Sequence, residues 1–200
     1  MFAVLRPLVL ASGSPRRQQF LRDLGLAFRV VLPQGREPRP EPGEQPVDYA
    51  LRIAALKGES VAAVCPEDVV LAADTIVILN NDILGKPADE REALTMLERL
   101  SGCTHVVVTA VSLRIPGAER LVFHCESRVA FHSWPRSVLE AYAKSGEPLD
   151  KAGGYAVQGL GSFLVRAVEG SWTSVVGLPV TEVTELLLNE GVIRVESLDS

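Results

Sequence analysis

Cysteine is scarce in this 200-residue chain, and its spacing excludes two common uses of the residue. Cys65, Cys103 and Cys125 are odd in number, lie far apart and include no C-x-x-C pair. They therefore predict neither a disulfide framework nor a zinc site. His105 and His124 also lack a second histidine at ligand spacing, so we interpret both as structural.

Long apolar runs and an excess of positive charge are also missing. No apolar run reaches transmembrane length, and the first residues lack the regions of a signal peptide. The formal net charge is −5 with acids and bases interspersed, which argues against a broad basic face for nucleic acid or membranes. We expect a soluble cytoplasmic protein whose residues 1–200 form one domain, or two small lobes sharing a core.

Apolar spacing and turn residues predict the following elements. Strands are predicted at residues 8–11, 28–32, 69–73, 76–79, 83–84, 105–113, 121–131 and 163–168. Helices are predicted at residues 15–24, 47–64, 89–100, 137–144 and 181–188. Residues 33–46 are predicted to form a mobile loop and residues 170–174 a turn, and the chain from Arg194 onward is predicted to be a polar tail.

The stretch from Val69 to Pro87 places a carboxylate within an apolar strand pattern. Asp74 follows a buried-strand sequence, and the chain then returns through a hairpin to Lys86. A carboxylate there must be desolvated unless a partner such as Lys86 pairs with it. Two interpretations are open: Asp74 caps a bulge or strand end, or it binds metal or abstracts a proton, with Lys86 close to an anionic substrate.

The segment Ser12-Gly13-Ser14-Pro15-Arg16-Arg17 leads from a short strand into a helix. Ser14 is a suitable N-cap and Pro15 a suitable first helical residue. The segment has the composition of a phosphate-binding loop, with free backbone N–H groups, two hydroxyls and two guanidinium groups. Its residue spacing matches neither a Walker P-loop nor a dinucleotide-binding motif. The alternative is a capped surface helix with two solvated arginines.

Two further segments contain residues that are ambiguous by themselves. The helix over 47–64 is predicted to place Tyr49, Ile53, Leu56 and Ser60 near one face. Most lysines in such a helix are simply solvated, so Lys57 by itself indicates little. The glycine-rich segment 149–161 implies close backbone approach, so Gln158 either reads a base edge or lies in a loop whose glycines serve turns.

Three signatures, in this order, resemble the Maf family of nucleoside triphosphate pyrophosphatases. They are Ser12–Arg17, Ala73-Asp74-Thr75 with Gly85-Lys86-Pro87, and Ser145-Gly146-Glu147-Pro148 continuing to Gln158-Gly159. The resemblance covers nearly the whole chain and ends with Gly177-Leu178-Pro179. It implies a mixed, elongated α/β sheet with flanking helices, in two lobes around a deep nucleotide-binding cleft, as in Maf and ITPase-like proteins. It also implies a homodimer as a frequent assembly.

The same resemblance implies hydrolysis of a nucleoside triphosphate to the monophosphate and pyrophosphate, helped by a divalent metal, magnesium or alternatively manganese. Asp74 matches the catalytic proton acceptor for the attacking water, and Glu37 matches a loop glutamate that helps with metal or water. Asp74 and Glu37 are the candidate metal ligands. The remaining matched positions hold the phosphates; they are Arg17, Lys57 and Lys86, with Ser12 and Ser14 adding hydroxyl contacts.

Base preference is implied by three other matches. Arg16, Thr75 and Gln158 resemble the subgroup that acts on dTTP and UTP, and an amide with an arginine can satisfy a pyrimidine edge. The chain departs from the family pattern at four positions, which are Gly58, Gly154, Trp172 and Ser174. We expect an enzyme that keeps such nucleotides, including modified pyrimidines, out of nucleic acid; the alternative is a nucleotide-binding regulator of septum formation.

Overall fold

The structure, a computed structural model, describes residues 1–196 and contains both helices and strands. The strands are β1 Phe2–Val4, β2 Leu8–Leu10, β3 Arg29–Val30, β4 Val69–Leu79, β5 Asp82–Leu84, β6 Thr104–Arg114, β7 Leu121–Phe131, β8 Val165–Glu169 and β9 Ile193–Val195. The α-helices are α1 Pro15–Asp23, α2 Pro46–Ala62, α3 Glu90–Leu100, α4 Arg136–Ala143, α5 Trp172–Val176 and α6 Val180–Asn189. Short 3₁₀ segments occur at Glu147–Asp150, Ala152–Gly154 and Gly159–Leu164.

The main sheet is mixed, as the resemblance implies. Within residues 1–196 its strand order is β3-β2-β4-β6-β7-β8, with β5 paired to β4. β2 runs parallel to both β3 and β4, whereas β5 is antiparallel to β4 and β8 is antiparallel to β7. The prediction of a mixed α/β fold with flanking helices is therefore confirmed. No helix in this part of the chain combines the length and apolar character that crossing a bilayer requires.

Contacts between residues divide the described chain into two compact units. The first contains residues 1–74, 110–124 and 177–196, and the second contains residues 75–109 and 125–176. Each unit has its own apolar core. The single domain over residues 1–200 stays a prediction.

The core of the first unit is built on the parallel pairing of β2 with β4. Leu8 pairs with Val69 and Leu10 with Leu71, and all four side chains are buried. Such strands need apolar residues on both faces, which explains the near-continuous apolar sequences. Burial of each leucine contributes roughly 1.5–3 kcal/mol to folding. The carboxyl end of β2, which Ser12 follows in sequence, therefore lies beside the first half of β4, in which Asp74 is the sixth residue.

The second unit begins with the predicted hairpin. Asn80 and Asn81 have positive φ values of 51° and 71°, as a two-residue hairpin turn requires. Helix α3, predicted over residues 89–100, begins at Glu90, because Asp89 is its N-cap: the Asp89 side chain accepts a hydrogen bond from the Glu92 N–H at 2.8 Å. The predicted β4–β5 turn is thus confirmed, and α3 starts one residue later than predicted.

Several predicted elements are wrong in detail. Arg194 lies in β9, which pairs antiparallel with β1, so the polar tail does not start there; the prediction for residues 197–200 lies outside the described residues. Residues 172–174, predicted as a turn, belong to helix α5. The predicted strand at 163–168 begins at Val165, because Gly159–Leu164 is a 3₁₀ segment. Local periodicity carries no information on the pairing of strands about 190 residues apart.

His105 lies in the core of the second unit, which agrees with its structural interpretation. Its Nε2 is 2.7 Å from the Tyr155 hydroxyl, and its ring packs edge-on against Phe131. Burial lowers the pKa of His105 to about 4 and raises the pKa of Tyr155. The His105 Nδ1 has no hydrogen-bond partner among the described residues, so a second ring proton would be an unpaired buried donor.

We predict that His105 makes folding stability fall at mildly acidic pH. The pKa of His105 is near 6.5 in the unfolded chain and about 4 in the folded protein, so between these pH values the unfolded chain binds a proton that the folded protein does not. The contribution of the neutral His105 to the free energy of unfolding is therefore complete above pH 6.5 and is lost as the pH falls toward 4. The expected loss is about 3 kcal/mol. Urea unfolding from about pH 7 to about pH 4 should show a steeper decline for the parent than for His105→Gln. Equal declines would contradict the prediction.

Candidate active site

Asp74 is the sixth residue of β4 and is buried, with 7% of its surface exposed. A carboxylate at such a position is strongly destabilising without a charged or hydrogen-bonding partner. Lys57 supplies that partner, because its Nζ donates to Asp74 Oδ1 at 2.6 Å. Asp74 therefore lies within a continuous strand and pairs with a distant side chain, so the interpretation of a bulge or strand-end cap is wrong.

Lys57 contacts a second carboxylate as well. Its Nζ lies 3.0 Å from Glu37 Oε1, and the Lys57 side chain is 16% exposed whereas that of Glu37 is 57% exposed. One ammonium thus lies between a buried carboxylate and a solvent-facing one. Lys57 is therefore not one of the simply solvated lysines that are common on such helices.

The inward position of Lys57 follows from the true buried face of α2. The buried positions on this helix include Ala50, Ile53, Ala54 and Val61, whereas Leu56 is 42% exposed. Lys57 lies at helical spacing between Ala54 and Val61. The face predicted from Tyr49, Ile53, Leu56 and Ser60 was rotated relative to this one. Small alanines that continue the apolar spacing were the signal that could have located Lys57.

The loop that carries Glu37 is fastened to α2. The Ser60 hydroxyl accepts a hydrogen bond from the Gln34 N–H at 2.9 Å, and Arg52 donates two hydrogen bonds of 2.6 Å to Glu44. These bonds from Arg52 hold the pKa of Glu44 at about 2, well below its usual range. Both ends of the segment around Glu37 are therefore attached to the helix that carries Lys57, although the segment is a loop, as predicted.

The turn between β2 and α1 is organised by the Ser12 hydroxyl. Ser12 Oγ accepts hydrogen bonds from the Ser14 N–H at 3.2 Å and from Arg17 Nη1 at 3.1 Å. Ser14 occupies the predicted N-cap position with an extended backbone, but its side chain makes no capping bond to the described helix. The Ser14 hydroxyl thus caps none of the first N–H groups of α1. A helix terminus that binds an anion needs N–H groups that no side chain caps.

Arg17 links this turn to the part of β4 that carries Asp74. Its Nη1 donates to the Ala73 carbonyl at 2.8 Å, and its Nε donates to the Gly177 carbonyl at 2.7 Å. Burial lowers the pKa of Arg17, and the negative charge of Asp74 opposes that shift. Arg17 is therefore a half-buried cation held by two carbonyls, so the interpretation of a solvated surface arginine is wrong for this residue.

Arg16 differs from its neighbour in having an unmet donor. Its Nε is buried and has no hydrogen-bond acceptor within residues 1–196, while the residue as a whole is half-buried. A buried N–H without an acceptor is unfavourable by about 1–3 kcal/mol. The side chain thus presents a donor that an additional group would satisfy.

Three predicted site residues belong to the second unit. Thr75 is half-buried in β4, Lys86 is exposed after β5, and Gln158 is half-buried just before the 3₁₀ segment at 159–164. The loop before Lys86 is held by the Gly153 N–H, which donates to the Gly85 carbonyl at 3.0 Å. The other predicted residues belong to the first unit; they are Ser12, Ser14, Arg16, Arg17, Glu37, Lys57 and Asp74.

Glu147 organises the glycine-rich segment and was missed as a site-building residue. Its Oε2 accepts from the Tyr142 hydroxyl and the Gly161 N–H, both at 2.8 Å, and its Oε1 accepts from the Leu160 N–H at 3.0 Å. Burial would raise the pKa of Glu147, but these three donors lower it overall. A Cβ at Gly159 would lie 2.3 Å from Glu147 Oε1, which explains that glycine. This carboxylate thus fixes the loop that follows Gln158.

The carboxylates of Asp74 and Glu37 are the side chains at this site that could hold a divalent cation. No group of three or more His, Cys, Asp or Glu side chains suited to a metal occurs in the part of the chain that the structure describes. Magnesium, however, is usually held by one or two carboxylates together with substrate phosphates and water. Asp74 and Glu37 converge on the single ammonium of Lys57, so their oxygens already share a cation. The residues therefore fit a cation whose remaining ligands come from a phosphate substrate.

The sequence matches one protein family over almost its entire length. Residues 7–190 match the family model described as Maf-like protein, so the chain belongs to the Maf family. A protein from Nitratidesulfovibrio vulgaris named dTTP/UTP pyrophosphatase is 50% identical over 193 residues, which cover 96% of this chain and 92% of that protein. A protein of the same name from Escherichia coli O157:H7 is 45% identical over 190 residues, which cover 94% of each.

A solved structure supports the fold independently. The structure of a HAM1 protein from Coxiella burnetii covers 92% of this chain and 100% of its own, with a TM-score of 0.53 and 19% sequence identity. At this identity the similarity shows a shared fold. The expected Maf and ITPase-like architecture is confirmed at that level.

We predict that Ser112 explains the departure at Gly58. A Cβ at Gly58 would lie 3.2 Å from Ser112 Oγ, which is buried without a hydrogen-bond partner in the described chain. Alanine within a helix is more stabilising than glycine by about 1 kcal/mol, so Gly58→Ala would be expected to stabilise the protein by that amount. Crowding of the new Cβ against the Ser112 hydroxyl should cancel this gain. Gly58→Ala alone should change the free energy of unfolding little, whereas in a Ser112→Ala background it should add about 1 kcal/mol. Urea unfolding of all four proteins measures the coupling, and the same gain in both backgrounds would exclude Ser112 as the obstacle.

Proposed function

We propose that this chain is a nucleoside triphosphate pyrophosphatase that hydrolyses dTTP and UTP to the monophosphate and pyrophosphate. The names of the similar proteins support this substrate class. The observation that carries the proposal is the buried pair of Asp74 and Lys57, with Arg17 hydrogen-bonded to the residue before Asp74. An isolated acid beside two cations is suited to hydrolysis at a polyphosphate.

Phosphate binding is assigned to the positive groups around the β2–α1 turn. The N-terminus of α1, which the Ser14 side chain does not cap and which has Ser12 and Ser14 nearby, attracts an anion. Arg17 and Lys57 add positive charge that is only partly exposed, and Lys86 is proposed as a further phosphate ligand. Because Arg17 is tied to two backbone carbonyls, its charge is held in place before substrate arrives.

Asp74 is proposed as the proton acceptor for the attacking water. The Lys57 ammonium holds Asp74 Oδ1 at 2.6 Å, and a carboxylate oxygen in such a fixed position can accept a proton from a bound water. The water oxygen then forms the new phosphorus–oxygen bond while its proton passes to Asp74. The anhydride bond between the α- and β-phosphates breaks, and pyrophosphate leaves with the bonding electrons.

Asp74 and Glu37 are proposed to hold a magnesium ion, with manganese as an alternative. A divalent cation bound there would neutralise charge that develops on the phosphate oxygens. Lys57 already contacts both carboxylates and offsets one of their two negative charges before substrate arrives. When a substrate binds between Asp74 and Glu37, Lys57 would contact its phosphate groups.

Base preference is proposed to reside in Arg16, Thr75 and Gln158. The unmet Nε donor of Arg16 would match a carbonyl of the pyrimidine, and the amide of Gln158 provides both a donor and an acceptor. Action on modified pyrimidine nucleotides, with their exclusion from nucleic acid, belongs to the same proposal. The cytoplasmic location, the homodimer and the single domain remain predictions. The names of the relatives give no support to the alternative of a septum regulator.

We predict that Asp74→Asn abolishes hydrolysis but keeps nucleotide binding. The amide has the same shape but cannot accept the water proton, so kcat should fall by about 10²–10⁴-fold. Release of pyrophosphate, as distinct from orthophosphate, from dTTP and UTP measures turnover, and calorimetry measures binding. Asp48→Asn, an exposed position on α2, is the control. Parent-like turnover by Asp74→Asn would remove Asp74 from the proton-acceptor role.

We predict that Glu37→Gln mainly changes the metal requirement. Losing one of two carboxylates weakens a cation site, so the magnesium concentration for half-maximal activity should rise roughly tenfold. Activity at saturating magnesium should stay within about threefold of the parent, since the proton acceptor is unchanged. Initial rates over a magnesium titration measure both, with Glu41→Gln in the same loop as the matched control. An unchanged titration curve would show that Glu37 is no ligand.

A further inference from the structure

The backbone is held by side-chain hydrogen bonds on both sides of Gln158, within the second unit. Before it, the Ala156 N–H donates to the Tyr142 hydroxyl at 3.1 Å. After it, the Glu147 carboxylate accepts hydrogen bonds of 3.0 and 2.8 Å from the N–H groups two and three residues beyond Gln158. The segment that carries Gln158 is therefore fastened at two points, although Gln158 itself lies outside any strand or α-helix.

The two groups that hold this segment are bonded to each other. The Tyr142 hydroxyl donates to Glu147 Oε2 at 2.8 Å, and 4% of the Tyr142 surface is exposed. A backbone N–H only donates, so the Tyr142 oxygen accepts from Ala156 and its single proton goes to Glu147. The tyrosine and the glutamate, here called the Tyr142–Glu147 pair, thus act together on both sides of Gln158.

The Tyr142–Glu147 pair is itself anchored to the end of helix α4. The Ser145 hydroxyl donates to the Tyr142 carbonyl at 2.7 Å and accepts from the Glu147 N–H at 3.3 Å. Lys151 Nζ donates to the Glu147 carbonyl at 2.6 Å. The backbone that carries the pair is therefore fixed independently of the segment that the pair holds.

Two glycines let the segment approach the Tyr142–Glu147 pair. A Cβ at Gly161 would lie 2.5 Å from the Tyr142 hydroxyl oxygen, and a Cβ at Gly159 would lie 2.3 Å from Glu147 Oε1. Gly159 also has a φ of +72°, a conformation that other residues rarely adopt. The close backbone approach that the glycine-rich sequence implied is thus an approach to these two side chains.

We propose that the Tyr142–Glu147 pair positions Gln158 for base selection. The inference rests on the proposed function and on the proposed role of Gln158 in base preference. Tyr142 and Glu147 are positioning residues, because they act through the backbone of Gln158. An amide whose backbone is held before the nucleotide binds loses less freedom when it contacts a base edge, so more of its hydrogen-bond energy is available for selection.

The test is Glu147→Gln, which keeps the shape of the side chain. The variant replaces one acceptor oxygen by an NH₂ group, which faces backbone N–H donors, so it cannot hold the segment as the carboxylate does. The ratio of kcat/KM for UTP to kcat/KM for CTP should fall by about tenfold. Most of the change should be a higher KM for UTP, with kcat within about threefold of the parent. A parent-like ratio in a folded Glu147→Gln protein overturns the inference.

Matched variants separate positioning of Gln158 from general damage. Tyr142→Phe keeps the ring but removes the acceptor of the Ala156 N–H, so it should lower the ratio in the same direction. Glu169→Gln makes the same charge change at an exposed position of β8 and should leave the ratio unchanged. In a Gln158→Ala background, Glu147→Gln should no longer change the ratio. An undiminished effect there would overturn action through Gln158.

A change in the segment itself keeps the inference testable if Glu147→Gln does not fold. Gly159→Ala leaves the Tyr142–Glu147 pair intact but places a Cβ against Glu147 Oε1, so the segment must move away. Gly159 is exposed, so this movement does not open the core. The same fall in the ratio is expected, and a parental ratio in this variant overturns the inference.

The three levels of the proposal fail in different ways. A parental ratio in Glu147→Gln or Gly159→Ala overturns only the positioning by the Tyr142–Glu147 pair. A parental ratio in Gln158→Ala overturns the role of Gln158 in base preference and this inference with it, whereas release of pyrophosphate is unaffected. Absence of pyrophosphate release from UTP by the parent overturns the proposed function as well.

Discussion

The burial of Asp74 in the middle of a strand is the constraint on which the first unit depends. An ionised carboxylate at that position requires a cation within contact distance, and Lys57 provides it at 2.6 Å. This requirement explains why α2 turns a lysine toward its buried face and why the loop with Glu37 is tied to the same helix. Arg17 adds a second, half-buried cation, and one of its hydrogen bonds goes to the carbonyl of Ala73, the residue before Asp74. The charges around Asp74 are thus held in position before any ligand binds.

The sequence predicted the parts of this site that have a local signal. A carboxylate within an apolar strand and a serine-rich turn before a helix are visible in a few consecutive residues, so Asp74 and Ser12–Arg17 were identified. Lys57 was identified only through the family resemblance. The apolar face of α2 was predicted to include Leu56, whereas the buried face consists mainly of small residues and places Lys57 inward. The hairpin at Asn80-Asn81 was predicted because its turn chemistry is strictly local.

The features that could not be predicted depend on contacts between distant residues. Glu147 appeared only as part of a family signature, yet its carboxylate accepts hydrogen bonds from the Leu160 and Gly161 N–H groups, and no periodicity reports such a contact. The hydrogen bonds of Thr109 with the Thr75 hydroxyl and the Ser174 carbonyl join three segments of the polypeptide in the same way. Hydrogen bonds of this kind depend on how distant segments pack against one another. They therefore could not be predicted from the sequence, even where the strands and helices that carry them were predicted correctly.

The first unit is discontinuous, and this has a consequence for biogenesis. Strand β1 pairs with β9, and the guanidinium of Arg17 is held by the carbonyl of Gly177, so residues from both ends of the described chain complete the same unit. During vectorial synthesis the amino-terminal segment leaves the ribosome long before these partners exist. Until residues 177–195 have been synthesised, Arg17 lacks one of its acceptors and β1 lacks its partner strand. Completion of the first unit therefore depends on closing a loop of about 190 residues.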